Sequence, residues 1–176
     1  MKNLGTQLLI SSRLVLRKFE LNDLDQLLSG FINQEEFLYY SNKERKNKFE
    51  LQEHLNEIIN NYNRLDYYNW LITINKITIV GSINVKINNN EGLISYALDK
   101  RYLKNGYMKE ALETVLNFML NEVKIDKIFG RCVINNKASF NVMKNCNMNY
   151  LGIKENCIKL KDGVFDAYEF CVSKND

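Results

Sequence analysis

Leu93-Ile94-Ser95-Tyr96-Ala97-Leu98-Asp99-Lys100-Arg101-Tyr102-Leu103-Lys104-Asn105-Gly106-Tyr107-Met108-Lys109-Glu110-Ala111-Leu112 is the stretch that decides the fold. An extended apolar segment (93–98) runs through a basic, proline-free turn, and Gly106 then opens a helix that continues to Val123. A strand that enters a helix this way ends on free backbone N–H groups at the positive end of the helix dipole. Such a terminus favours a phosphate. Gly106 admits a ligand without a Cβ in the way, and Lys100, Arg101 and Lys104 add full charges to the partial ones. The element reads as a phosphate cradle; the plainer reading of Gly106 is a helix-start glycine.

Downstream, Ile128 to Ile134 is a second apolar strand. Strand, helix and strand make a crossover that is expected to be parallel and right-handed. Met108, Ala111, Leu112, Val115, Met119 and Val123 form the helix stripe that packs on the sheet. Ligands of open sheets lie beyond the carboxyl ends of the strands, which locates one between Leu98 and Gly106. Asn136 to Ser139 begins a further helix, with Asn136 suited to its N-cap. Asn147 suits a left-handed C-cap.

Upstream, Leu8 to Ile10 and Leu14 to Arg17 flank Ser11-Ser12-Arg13 and read as one bulged or bent strand. Asn22 reads as an N-cap, followed by a stripe of Leu24, Leu27, Leu28 and Phe31. Leu51, Leu55, Ile58, Ile59 and Tyr62 repeat the helical pattern over 49–62. Trp70-Ile72-Ile74 and Ile83-Val85-Ile87 alternate as strands, with a hairpin turn at Asn75-Lys76, a bulge at Gly81 and a second turn at 88–90. The tail pairs 150–153 with 165–172 around Lys161-Asp162-Gly163.

Gly106-Tyr107-Met108-Lys109-Glu110-Ala111, the opening Ser12-Arg13-Leu14-Val15-Leu16-Arg17, and Asn136-Lys137-Ala138-Ser139 with its apolar helix together resemble the GNAT superfamily of N-acetyltransferases. The likeness is strongest to the RimJ/RimL-type subgroup, which acetylates ribosomal-protein N-termini, and it spans nearly the whole chain. It implies an α/β (α+β) fold with a mixed, mostly antiparallel central sheet, a splayed parallel strand pair and flanking helices. One domain over residues 1–176 is expected. The two helices near the N-terminus and the loop Ser41–Lys48 would wall a substrate groove.

The resemblance further implies acetyl-CoA as cosubstrate, held by Tyr96, Ala97 and Leu98 on the strand, by Leu103, Lys104, Asn105, Gly106, Tyr107 and Met108 in the turn, and by Asn136 and Ser139. Leu103 stands where relatives carry Arg or Gln, Lys104 where many carry Gly, and Met143 where many carry the Tyr that protonates the departing thiolate. Ser139 is the remaining donor at that helix start, although a helix-start hydrogen bond explains it equally well. Leu93 and Ser95 stand where relatives carry a Glu, so Glu91 (through water) and Glu155 are the candidate bases. Transfer to a primary amine by direct attack follows, with a protein or peptide α-amine as acceptor. Two alternatives stand beside it: a non-catalytic acyl-CoA-binding module, and an acetyltransferase of small molecules such as polyamines or antibiotics. The chain would act as a monomer or a homodimer.

Bulk properties exclude other classes. A net charge of +3 is too small for a nucleic-acid binder. No stretch approaches the roughly 20 apolar residues of a membrane span. Four widely spaced cysteines and one histidine make no zinc site, so no metal is expected. The same cysteines read as reduced thiols in a cytoplasm. His54 and the tyrosines 96, 107 and 150 read first as groove or core residues.

Overall fold

The computed structural model describes residues 1–31, 48–160 and 163–174. The Ser41–Lys48 loop (apart from Lys48), the side chain of Phe31 and the turn residues Lys161 and Asp162 lie outside what is described. Eight strands form one sheet in the order β1-β2-β3-β4-β5-β6-β8-β7. They are β1 (Leu9–Ile10), β2 (Leu14–Arg17), β3 (Tyr67–Ile74), β4 (Thr78–Asn88), β5 (Glu91–Leu98), β6 (Lys127–Val133), β7 (Asn149–Leu160) and β8 (Gly163–Ser173). Every neighbouring pair is antiparallel except β5 and β6. The expected mixed sheet with one parallel pair is therefore present. Among the described residues, four helices flank it: α1 (Leu24–Phe31), α2 (Lys48–Asn60), α3 (Tyr107–Asn117, continued by a π-helical turn Phe118–Val123) and α4 (Lys137–Asn145).

The alternation of side chains along each strand divides the core in two. Trp70, Ile72, Ile83, Val85, Ile94 and Tyr96 join the whole α3 stripe and Met143 of α4 on one face. Leu71 and Ile79 pack with Leu24, Leu27, Leu51, Leu55 and Ile58 of α1 and α2 on the other. The turns follow from residue type. Asn75 and Lys76, then Asn89 and Asn90, all take left-handed φ of 47–65°, which suits hairpin turns with right-handed twist. Asn89-Asn90 is a two-residue loop, whereas Ile74 opposite Thr78 leaves Ile77 as an extra residue after Asn75-Lys76. The β3–β4 register slips between Ile72 and Thr73, so the extra residue of the expected bulge is Val80, beside Gly81. Asn147 (φ 57°) ends α4. Its N–H reaches the carbonyl of Lys144, and the N–H of Met148 reaches that of Met143, a Schellman closure.

Two expectations change at the N-terminus. Residues 9–17 are not one bent strand but a hairpin, with Leu9 opposite Leu16. The Ser11-Ser12-Arg13 turn is thereby free to reach α3. Asn22 is no N-cap: a 3-10 turn, Leu21–Asp23, precedes α1, and Glu20 with Asp23 forms the capping box. Asp23 also accepts from Arg17 Nη1 and Nη2 at 2.8 and 2.6 Å, so the acidic side chain is committed before the helix starts.

Candidate functional site

The parallel pair does not run its full length. Register holds from Glu91 opposite Lys127 to Ile94 opposite Gly130 and stops there, while β5 continues to Leu98 and β6 to Val133. Beyond Ile94, β5 still pairs with β4, so its other edge, from Ser95 to Leu98, is released from the ladder and faces a wedge. The tip of α4 crosses that wedge: the buried Tyr96 hydroxyl donates to the carbonyl of Ser139 at 3.1 Å. Gly130 sits where the strands part. A Cβ there would lie 2.6 Å from Met143 Sδ and 3.3 Å from Met148 Cε, so a larger residue would have to displace these methionine side chains. Met143, standing where relatives carry a tyrosine acid, is 1% exposed and is a packing residue.

At the end of β5, Asp99 is fully buried and accepts from the Arg101 backbone N–H at 2.9 Å and from its guanidinium at 2.5–3.1 Å. Arg101 therefore adds no net charge to the turn, contrary to its sequence reading. Lys104 has φ 62° and Gly106 φ 76°. The left-handed region costs a non-glycine residue about 1–2 kcal/mol, so Lys104 occupies a position that a glycine would take without strain. Asn105 Nδ2 holds the curl by donating to the carbonyls of Tyr102 and Leu103 at 3.2 and 3.0 Å. Gly106 is the N-cap of α3, and no side chain caps it. The first-turn N–H groups keep an anion-binding geometry.

Sequence reading missed the residue that fixes this cradle. Arg13 Nη1 donates to the carbonyl of Asn105 at 3.0 Å, its Nη2 lies 3.4 Å from where a Gly106 Cβ would be, and its guanidinium stacks 4.8 Å over the Tyr107 ring. Glu110, one turn into α3, holds Arg13 in place. Its Oε1 accepts from Ser11 Oγ, Ser12 Oγ and the Arg13 N–H at 2.7, 3.0 and 2.8 Å, and its Oε2 from Arg13 Nε at 2.7 Å. Partial burial would raise the Glu110 carboxyl, but these donors outweigh it and hold it down to about 2. The only sequence signal was the pairing of the Ser-Arg opening with the Glu of the turn motif, both carried by the family resemblance.

The start of α4 meets β5, and its far end meets the first turn of α3, where Cys146 Sγ donates to the carbonyl of Lys109 at 3.6 Å. Asn136 Oδ1 accepts the Ser139 N–H at 3.0 Å, so Asn136 caps α4 as expected. Ser139 is buried. Tyr96, Ala97 and Leu98 lie on the released stretch of β5, the 103–108 turn follows it, and Asn136 and Ser139 begin the helix that Tyr96 touches. The two candidate bases do not join them. Glu91 is exposed at the first residue of β5, paired with Lys127 where the strands are still together. Glu155 is exposed in the irregular stretch of β7 between Lys154 and Ile158. Burial pushes the Cys132 thiol up to about 11 and, with Glu113 nearby, the Cys146 thiol up to about 12. Neither is a nucleophile at neutral pH. Among the described residues no group of three or more His, Cys, Asp or Glu side chains could hold a metal ion, and no helix is long and apolar enough to cross a membrane.

Residues 13–149 match the family described as "Acetyltransferase (GNAT) domain". The uncharacterized N-acetyltransferase YnaD of Bacillus subtilis is 25% identical over 83 residues, a match that spans 47% of this chain and 49% of that protein. An acetyltransferase of the GNAT family from Bacillus anthracis superposes with a TM-score of 0.83 at 20% identity, over 97% of this chain and 100% of its own. RimL, a ribosomal L7/L12 alpha-N-protein acetyltransferase solved with coenzyme A, superposes with a TM-score of 0.79 at 18% identity, over 95% of this chain and 98% of its own. At these identities the structural likeness is one of fold.

Proposed function

The chain belongs to the acetyltransferase (GNAT) domain family, and on that premise we propose that it is an acetyl-CoA-dependent N-acetyltransferase whose acceptor is a protein or peptide α-amine. The observation that carries this reading is the wedge between β5 and β6, with the uncapped start of α3 at its mouth. A thioester lying in the wedge meets the released edge of β5, whose backbone N–H groups can receive the oxyanion. The pyrophosphate meets the Gly106 end of α3, and Arg13 and Lys104 flank it.

Transfer is direct. The amine lone pair attacks the thioester carbonyl carbon, the tetrahedral intermediate collapses, the C–S bond breaks and the thiolate leaves. The amine nitrogen loses one proton and the thiolate gains one. Holding both reactants together supplies much of the rate. Ser139, at the tip of α4, is the candidate to hydrogen-bond the departing thiolate. On the acceptor face, Glu169 of β8 lies toward the wedge. Burial would raise its carboxyl, but Arg131 and Lys154 hold it below the ordinary range, which makes it a poor base. Neither Glu91 nor Glu155 reaches the wedge. With no base identified among the described residues, the proposed route for the proton is through water, which favours an acceptor that is already partly neutral. An α-amine titrates near 7.7–8.0 and a lysine amine near 10.4, so the α-amine is the better match. RimL's own description as an alpha-N-protein acetyltransferase fits this acceptor class.

The test has two arms. CoA at about 100 times its dissociation constant contributes roughly 2.7 kcal/mol of stability and raises Tm measurably. Peptides with free and blocked N-termini, together with spermidine, are then scored by mass spectrometry at pH 7.5, with acetylation expected at the free α-amine. No Tm shift and no calorimetric heat with CoA refutes the cofactor. Acetylation of spermidine or of a blocked lysine peptide, with none at the α-amine, refutes the acceptor. CoA binding with no amine acetylated identifies a binding module instead.

A further inference from the structure

The sheet face opposite α3 and α4 carries a polar floor. Ser82 and Asn84 of β4, Ser95 of β5, Arg131 of β6 and Glu169 of β8 all point to it, by the register of Asn84 with Ser95 and of Arg131 with Glu169. Ser82, Asn84, Ser95, Arg131 and Glu169 are each half-buried. Arg131 is the first residue of β6 past Gly130, where β5 and β6 part. It therefore borders the opening on the β6 side, as Ser95 does on the β5 side.

The charges at that point do not cancel. Arg131 Nε donates to Glu169 Oε1 at 2.7 Å, and Lys154 Nζ of β7 donates to the same oxygen at 3.1 Å. Two cations thus share one carboxylate, leaving one net positive charge. The Arg131 side chain is 26% exposed and that of Lys154 47%. Among the described residues, neither Arg131 Nη makes a hydrogen bond. Arg131 is consequently fixed along its Nε edge by Glu169, while its Nη edge stays available. A fork held in this way is preorganised for a second, incoming carboxylate.

We propose that Arg131, oriented by Glu169 and assisted by Lys154, anchors a carboxylate of the acceptor while the acceptor's amine reaches the thioester. The inference rests on the transferase reading and sharpens it. Because Arg131 borders the opening in which the amine meets the thioester, that carboxylate belongs close to the reacting amine, among the first few residues of a peptide. The acceptor is thus an acidic N-terminal peptide or an amino-acid-like amine carrying its own carboxylate. A net cation at the same point repels a polyamine.

Matched free-amine hexapeptides, one with Asp and Glu at positions 2 and 3 and one with Asn and Gln there, test the anchor, and free aspartate tests the amino-acid source. The wild type is expected to favour the acidic peptide at least tenfold in kcat/KM, through KM. Arg131→Lys keeps the charge and the Glu169 partner but loses the fork. It should abolish most of that preference, chiefly by raising KM for the acidic peptide, while the CoA dissociation constant stays unchanged, and the exposed Lys154→Met should erode the preference in part. A preference for free aspartate over both peptides assigns the anchor to amino-acid-like acceptors. Equal use of acidic and amide peptides by the wild type overturns the proposal, as does an Arg131→Lys variant that loses turnover equally on both. The N-acetylated peptides are also titrated calorimetrically into the CoA-bound protein, so the anchor is tested without turnover. Acidic-selective binding that Arg131→Lys removes supports it even if no amine is acetylated, and unselective binding overturns it.

Discussion

Replacing Glu110 by Gln tests whether the first turn of α3 is held from the β1–β2 turn. Gln keeps the shape and one acceptor oxygen, but it removes the charge and turns the Oε2 contact with Arg13 Nε at 2.7 Å into a clash of donors. The carboxyl lies at about 2 against an ordinary 4.5. At about 1.36 kcal/mol for each tenfold change in the acid constant, that difference is about 3 kcal/mol of native-state stabilisation. The Arg13 side chain is 49% exposed and that of Glu110 15%, so solvent screening lowers the expected loss to about 2 kcal/mol. Because the folded value is depressed, the stabilisation is fully present above about 4.5 and disappears as pH falls toward 2. Urea unfolding of wild type and E110Q at pH 7, 4 and 2.5 is the assay. The gap should be about 2 kcal/mol at pH 7, smaller at pH 4 and nearly closed at pH 2.5. A gap under about 0.5 kcal/mol at pH 7, or one that persists undiminished at pH 2.5, refutes the clamp. If the clamp also shapes the cradle, CoA affinity of E110Q falls as well, since Arg13 then lets go of Asn105.

Gly106→Asp forces an L side chain into φ 76° and sets a negative charge where the pyrophosphate should lie. A near-native circular dichroism spectrum with CoA affinity lowered at least tenfold, about 1.4 kcal/mol, is expected, and unchanged affinity would put the phosphates elsewhere. Ser139→Ala should lower turnover while CoA binding stays nearly intact; equal loss in both would assign Ser139 to the helix start and not to the leaving group.

What the sequence disclosed was local. Left-handed turns at Asn75-Lys76 and Asn89-Asn90, the cap at Asn136, the Schellman residue Asn147 and the glycine at 106 each announce a backbone conformation through residue type alone. The stripes of α3 and the alternation of β3 and β4 likewise named the core. What it hid was long-range. Ser11, Ser12 and Arg13 meet Glu110 across about a hundred residues, and nothing in a Ser-Ser-Arg run says whether it bends one strand or joins two. Asn22 was the better cap by type, yet Asp23, tied to Arg17, set the boundary instead.

The same limit governs the chemistry. Arg101 reads as a cation in a basic turn until the fold buries Asp99 two residues before it and cancels the charge. Arg131 reads as one polar residue in a buried strand until β8 sets Glu169 opposite it and β7 brings Lys154 to the same oxygen. Composition gives both arginines equal weight. Only the pairing decides that one is a neutral strut of the cofactor turn and the other a surplus charge at the acceptor side of the wedge. On the proposed reading, with no carboxylate base identified among the described residues, specificity comes from what that surplus attracts. Two demands are thereby proposed for the acceptor, the charge it carries beside its amine and the ease with which that amine loses its proton, and the two meet in an acidic peptide N-terminus or an amino-acid-like amine.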